Sequence, residues 1–341
     1  MNGIETQYLD LVKDILNTGV EKDTRNGKVL SVFGRQIRHN MVDGFPLLTT
    51  KKMAWDSIKT ELQWFLNGST DIRFLWKNKC FIWDGDWYSS YRKSCSTPYS
   101  LEEMKEFALN PTKHPVRSKF FSPDVWSLGN IYGHQWRNWN SKQIDQVADV
   151  IDKLTNSPDS RRILVSAWNP EQLNQMSLPP CHYSFQVYTR ELSFEERNKI
   201  FKEKVGESVE DCDLRSEVNT TYDQDFDALQ IPKRGLSLLW NQRSVDVGLG
   251  LPFNIASYAL LLLMLADEAN MVPEELIGSL GDAHIYKNQI RGLREQVGRE
   301  PFSLPTVRVR DGIYSCLTNN SKDVELLKYQ HHPAIKIPLS T

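Results

Sequence analysis

Apolar residues recur at helical spacing at the start of the chain. Ile4, Leu9, Leu11, Val12, Ile15 and Leu16 would share one face of an amphipathic helix over residues 4–18. The same signal predicts helices over residues 55–66, stopping near Asn67-Gly68, and over residues 144–154. β-rich runs at 29–38, 162–167, 181–189 and 235–244 read as strands. The most apolar run, Ile255 to Ala266, covers 12 residues before Asp267 and Glu268. That is too short to span a bilayer, so it predicts a buried helix over 255–269. Residues 273–276 read as a helix start after a proline, and 286–297 as a further helix. Helices and strands are mixed, which predicts an α+β fold in a single domain over residues 1–341. Residues 88–126, rich in Ser, Pro and Lys, and the charged residues 194–233 read as surface insertions.

Composition narrows the classes of partner. The chain of 341 residues carries 41 basic and 43 acidic side chains, a formal charge of -2. This gives no bulk attraction to nucleic acid or to an anionic membrane. The start, MNGIETQYLDLVKDIL, is charged and amphipathic without an apolar h-region, so no secretory signal is read. Five cysteines (Cys80, Cys95, Cys181, Cys212, Cys316) form no CxxC pair. Reduced thiols in a cytoplasmic protein are expected, without a structural metal site.

Four stretches carry candidate chemistry. In LPPCHYSFQVY, a thiol (Cys181) and an imidazole (His182) follow a rigid Pro-Pro corner at the mouth of a strand. A lone cysteine is more often core, but arginines at Arg161, Arg162 and Arg243 offer a way to lower a thiol pKa, or to grip phosphate. In GLGLPFNIASY, Asn254 is by default an N-cap; its amide also matches the N3–H and O4 of a uracil ring. In GDAHIYKN, His284 and Tyr286 alternate, so on an extended segment they point the same way and could hold one sugar hydroxyl. Glu61, inside the apolar helix pattern TELQWFL, is a carboxylate whose burial would suit proton transfer. There is no GxGxxG, Walker loop or HExxH.

Long motifs extend this reading. SVFGRQIR, GFPLLTTKK, ELQWFLNGST, IWD, IYGHQWR, DSRRILVSAWNP, LPPCH, QRSVDVGLGLPFNIASYALL, GDAHIYKN and HPAIK occur in order from about residue 5 to residue 337. In these the chain resembles the thymidylate synthase family. The resemblance implies a mixed sheet packed against a long buried helix, and a homodimer joined sheet on sheet. It implies dUMP as substrate and 5,10-methylenetetrahydrofolate as co-substrate. Cys181 would add to C6 of the pyrimidine, with Glu61 and Tyr132 handling protons and His182 and Gln242 supporting the network near the nucleophile. Arg25, Arg243 and Ser244 would hold the phosphate, joined by Arg161 and Arg162 from the partner chain. Asn254 would read the uracil, and His284 and Tyr286 the 3′-hydroxyl. Asp246 would bind the pterin, between Ile82, Trp83, Leu249 and Phe253.

The chain departs from the family pattern in five places. The phosphate loop is shortened to Arg25-Asn26-Gly27-Lys28-Val29, and Asn130 and Asn241 replace usual residues. Asn288-Gln289 stands where Asn-His is usual, and the end reads Pro338-Leu339-Ser340-Thr341. These changes spare the nucleotide residues and gather where the family closes over folate. They favour water trapping the exocyclic methylene, with 5-hydroxymethyl-dUMP as product. Phage dCMP hydroxymethylases are similar in having Asn in the slot of Asn241, but have Asp in that of Asn254. The alternative is an ordinary thymidylate synthase forming dTMP and dihydrofolate. A third reading is an inactive nucleotide-binding homologue.

Overall fold

The computed structural model describes residues 3–113, 121–140, 142–205, 226–309 and 324–339. Eight strands are present among them: β1 (Val20–Thr24), β2 (Gly27–Asn40), β3 (Leu164–Ser166), β4 (His182–Glu191), β5 (Arg234–Asp246), β6 (Val272–Tyr286), β7 (Thr306–Val309) and β8 (Val324–Leu327). The first six form one sheet in the order β1-β2-β6-β5-β4-β3, and β7 pairs with β8 separately. Within the large sheet only β5 and β6 run parallel. A parallel pair needs a crossover, and the helix Gly250–Glu268 supplies it.

That helix is buried almost all round. It is long and apolar enough to cross a membrane by length and composition, but 78% of the apolar window lies inside the fold. Pro252 falls in its first turn, where its missing N–H has no helical partner to lose. The helix therefore begins before the predicted residue 255. The N-terminal helix Gly3–Thr18 lays Ile4, Tyr8, Leu11, Val12 and Ile15 into the same core. Each such side chain contributes roughly 1.5–3 kcal/mol on burial.

Three expectations are corrected. Residues 273–276 begin no helix; they belong to strand β6. Pro273 pairs with Leu236 at the start of the strand, next to the register shift between Leu236 and Leu238, where proline is tolerated. Residues 88–126 are not all surface. Tyr91, Met104, Phe107 and Trp126 are buried in the main core, and the helix Leu101–Leu109 starts at a Ser100–Glu103 capping box. The segment 194–233 carries a helix, Phe194–Val205, with no buried residue, and Phe194 and Phe201 pack on Phe226. Residues 206–225, with Cys212, and residues 310–323, with Cys316, lie outside the described residues. The helix expected over 286–297 is shorter: β6 runs to Tyr286, a 3-10 turn covers Lys287–Gln289, and the helix proper is Ile290–Val297.

Glu5 is a fully buried carboxylate that fixes the loop ahead of helix Trp55–Leu66. It accepts from the backbone N–H groups of Thr49 (2.9 Å) and Thr50 (2.7 Å), and from their hydroxyls at 2.7 and 2.6 Å. Removing it would strand two buried backbone donors. Glu5→Ala should cost about 3–5 kcal/mol, read as a lower urea midpoint; a loss under about 1 kcal/mol would mean water replaces the carboxylate.

Candidate active site

The sheet gathers its chemistry at one end. Strand β4 begins there with His182, β5 ends there with Gln242 to Asp246, and β6 ends there with His284 and Tyr286. Register places Asp246 opposite His284 and Ser244 opposite Asp282. The two-residue turn Arg25-Asn26, between β1 and β2, hangs over the same end, since Val29 pairs with Tyr286.

Cys181 follows the Pro179-Pro180 corner. The Arg243 guanidinium grips that corner, donating from Nε to the Pro180 carbonyl (2.9 Å) and from Nη2 to the Pro179 carbonyl (3.0 Å). The Arg243 backbone N–H donates to the Cys181 carbonyl at 2.8 Å. The Cys181 N–H in turn donates to the Tyr132 hydroxyl at 2.7 Å. The thiol is thus held by its own backbone on both sides. Its pKa is raised, mainly by burial; Arg243 and Arg25 pull it down, while Asp86 and Asp246 push it up. The arginines were expected to hold it low; on this chain burial outweighs them.

Burial also sets the charge of the flanking groups. His182 stacks on Tyr132 at 4.2 Å and 17°, and its Nδ1 meets the Tyr258 hydroxyl at 2.8 Å. Burial depresses its pKa to about 3, so it stays uncharged. Glu61 lies on helix Trp55–Leu66, 9% exposed. Burial raises its pKa to about 7, against the Trp83 indole N–H, which donates to it at 2.7 Å and favours the carboxylate. A carboxyl titrating near neutrality is suited to passing a proton.

Asn254 is not an N-cap. The capping position is Leu249, and Asn254 lies a turn further in, donating from Nδ2 to Gln242 Oε1 at 2.9 Å. Asp246 Oδ1 accepts the N–H groups of Gly248 (2.9 Å) and Leu249 (3.1 Å), and Oδ2 accepts from Gln289 Nε2 (3.1 Å). Ile82, Leu249 and Phe253 are partly buried against the core, and Trp83 fully. His284 Nδ1 faces the Asp282 carbonyl at 3.1 Å, and the His284 and Tyr286 rings meet at 5.3 Å. Asn26 hydrogen-bonds the Tyr286 hydroxyl, and the Arg25 charge bears on Cys181, Tyr286 and Asp86.

Arg161 and Arg162 are not part of this cluster. They lie exposed ahead of β3, where the Val187 N–H donates to the Ile163 carbonyl. That is roughly 20 Å along β4 from Cys181. Asn241 also points elsewhere: its side chain donates to Ser184 Oγ at 3.2 Å, while Gln242, next in the strand, turns to the helix side. Asn130 is engaged with Gln175 at 2.7 Å. Residues 340–341 lie outside the described residues.

Several residues beside the site were not singled out from sequence. Tyr258 holds His182, and Lys51 donates to the Gly248 carbonyl at 2.6 Å, its pKa lowered by burial to about 8. Asp86 adds a carboxyl near Cys181 and Arg25. The available signal was a lysine directly after the two threonines of LLTTKK, and a tyrosine one turn beyond Asn254. Among the described residues no group of three or more His, Cys, Asp or Glu is arranged to hold a metal ion.

A partly buried thiol, a carboxyl poised near neutrality and an oriented amide have the chemistry of a cysteine-dependent transferase. The thymidylate synthase family model matches residues 6–341. Two curated relatives, the thymidylate synthases of Listeria innocua serovar 6a and Listeria monocytogenes serotype 4a, are each 36% identical to this chain, covering 98% of it and 99% of their own length. The chain belongs to the thymidylate synthase family of one-carbon transferases.

The raised Glu61 pKa has a stability consequence. A carboxyl with a raised folded pKa favours the fold at acid pH, and this contribution is lost as pH rises through about 7. A neutral amide escapes that loss. Glu61→Gln should therefore match the parent near pH ~4.5 and exceed it above pH ~7. The gain should reach at most roughly 3 kcal/mol, and kcat should fall at least about a hundredfold. Urea unfolding at both pH values checks this; an equal shift at both would contradict it.

Proposed function

We propose that this chain is a thymidylate synthase, converting dUMP to dTMP with 5,10-methylenetetrahydrofolate as one-carbon and hydride donor. The observation that carries the proposal is the backbone-clamped Cys181 thiol together with the oriented Asn254 amide, with Tyr132 within electrostatic reach of both Cys181 and Glu61. Curated relatives bearing that name over nearly the whole chain support it.

The residues divide the chemistry as follows. Cys181, as thiolate, adds through Sγ to C6 of the uracil. The electron pair moves through C5 toward O4 and makes C5 nucleophilic. Asn254 steadies the ring by accepting from N3–H and donating to O4. C5 bonds to the methylene carbon of the co-substrate and then gives up its proton; the bond from that carbon to the folate nitrogen breaks, releasing tetrahydrofolate and leaving an exocyclic methylene on the ring. Glu61 and Tyr132 serve these proton transfers. Expulsion of Cys181 from C6 and hydride delivery to the exocyclic methylene complete dTMP, leaving dihydrofolate. His284 and Tyr286 hold the sugar, Arg25, Arg243 and Ser244 the phosphate, and Asp246 the pterin between Ile82, Trp83, Leu249 and Phe253.

Methyl transfer is preferred to hydroxymethyl transfer on one particular. Asn241 is a departure from the family pattern whose polar group could hold a water if it faced the cavity, and its side chain is turned to the other sheet face, onto Ser184. That face exposes Leu164, Gln186 and Tyr188 and fits a second copy packing sheet on sheet. Such a dimer would bring the exposed Arg161 and Arg162 of one copy to the phosphate of the other.

Three outcomes are expected. Incubation with dUMP and the folate should give dTMP and dihydrofolate in equal amounts; a product one oxygen heavier, without folate oxidation, would make the chain a hydroxymethylase. Cys181→Ser should lose at least roughly three orders of magnitude in turnover while still binding dUMP. Activity within tenfold of the parent would remove Cys181 as nucleophile. Mixing Cys181→Ser chains with chains carrying Arg161→Ala and Arg162→Ala should restore one working site per heterodimer; no recovery after subunit exchange would argue against shared sites.

A further inference from the structure

We infer that Trp240 is a specificity-determining residue: its indole N–H fixes the polarity of the amide pair Gln242–Asn254 so that the site accepts uracil and rejects cytosine. The inference rests on the reading that Asn254 holds the base.

An indole N–H can only donate and a backbone carbonyl can only accept. Trp240 Nε1 donates to Gln242 Oε1 at 3.2 Å, and Gln242 Nε2 donates to the Ser244 carbonyl at 3.1 Å. With a pure donor at one end and a pure acceptor at the other, the Gln242 amide has one orientation. Its oxygen then faces Asn254, which must answer with its NH2 group, as it does at 2.9 Å. Asn254 is left with its oxygen and one N–H. That pair complements N3–H and O4 of uracil and opposes both N3 and the amino group of cytosine.

The indole is held rigidly enough for this task. It is 1% exposed and stacks on Tyr258 at 5.4 Å and 8°. Beside it lies Gly278, where an added Cβ would come within 2.5 Å of Trp240 Cζ2 and Cη2. The sheet has therefore given up a side chain at 278 to seat this ring. Gln242 itself is 2% exposed, so no bulk water can replace a donor lost from its oxygen.

Trp240→Phe keeps an aromatic ring but removes the donor. It should lower the ratio of kcat/KM for dUMP to that for dCMP by at least about tenfold. Trp240→Phe with Gly278→Ala refills the space beside the smaller ring; it should recover thermal stability without recovering the ratio. In the unaltered protein the Trp240 indole nitrogen resonance should move when dUMP is added and stay when inorganic phosphate is added. A ratio within twofold of the parent in either variant, or an indole resonance indifferent to dUMP, would overturn the inference and make Trp240 a packing residue. Failure of the unaltered protein to turn over dUMP at all would instead remove the reading on which the inference rests, and the inference with it.

Discussion

The parallel register between Arg234–Asp246 and Val272–Tyr286 is the constraint on which the site depends. Parallel strands end at the same edge, so the residues closing β5 and those closing β6 are delivered side by side. The antiparallel neighbours β4 and β2 contribute their beginnings to that edge, with Cys181-His182 on one flank and the Arg25-Asn26 turn on the other. The crossover that a parallel pair requires is the helix Gly250–Glu268, whose first turns bring Asn254 down onto Gln242. One topological choice therefore brings Cys181, Asn254, Asp246, His284 and Tyr286 to one end of the sheet.

Burial then sets the electrostatics of what the topology assembled. His182 is held neutral, Glu61 is lifted to about 7 and the Cys181 thiol is raised, each chiefly through desolvation. Arg243, the charge that lowers the Cys181 pKa most, commits two of its donors to the carbonyls of the Pro-Pro corner and stacks over Trp168 at 5.2 Å. The corner in LPPCH is thus more than a stop for the chain: it supplies the acceptors that aim this guanidinium, and Cys181 is drawn tight by the same residue. Polar groups that face the buried helix satisfy one another, and that mutual satisfaction fixes which way each amide points.

What the sequence made legible followed the strength of local signals. The helix Trp55–Leu66 was readable to its ends because its apolar period closes on Asn67-Gly68. The strands around Cys181 and Gln242 were readable because β-branched and aromatic residues alternate there. Strand β6 was misread at Pro273 because a proline starts helices more often than it sits at a register shift in a parallel ladder. The aromatic packing of Tyr91, Phe107 and Trp126 was hidden by the Ser and Lys around them. The site residues were named through long motifs, but the direction of a side chain was not in them. Asn241 and Gln242 are adjacent in sequence and face opposite sides of the sheet. Trp240 reads as core filling from its neighbours in sequence; only its indole N–H meeting Gln242 gives it another role.

The central claim is that Cys181 attacks C6 of a uracil ring held by Asn254, and that C5 then takes a carbon from folate. A dUMP carrying fluorine in place of hydrogen at C5 tests it most directly, because the proton whose loss frees the adduct is gone. Mass spectrometry of the protein after incubation with that nucleotide and the folate should find both joined to it, with the added mass on the peptide bearing Cys181. No adduct, or an adduct on another residue, would contradict the account.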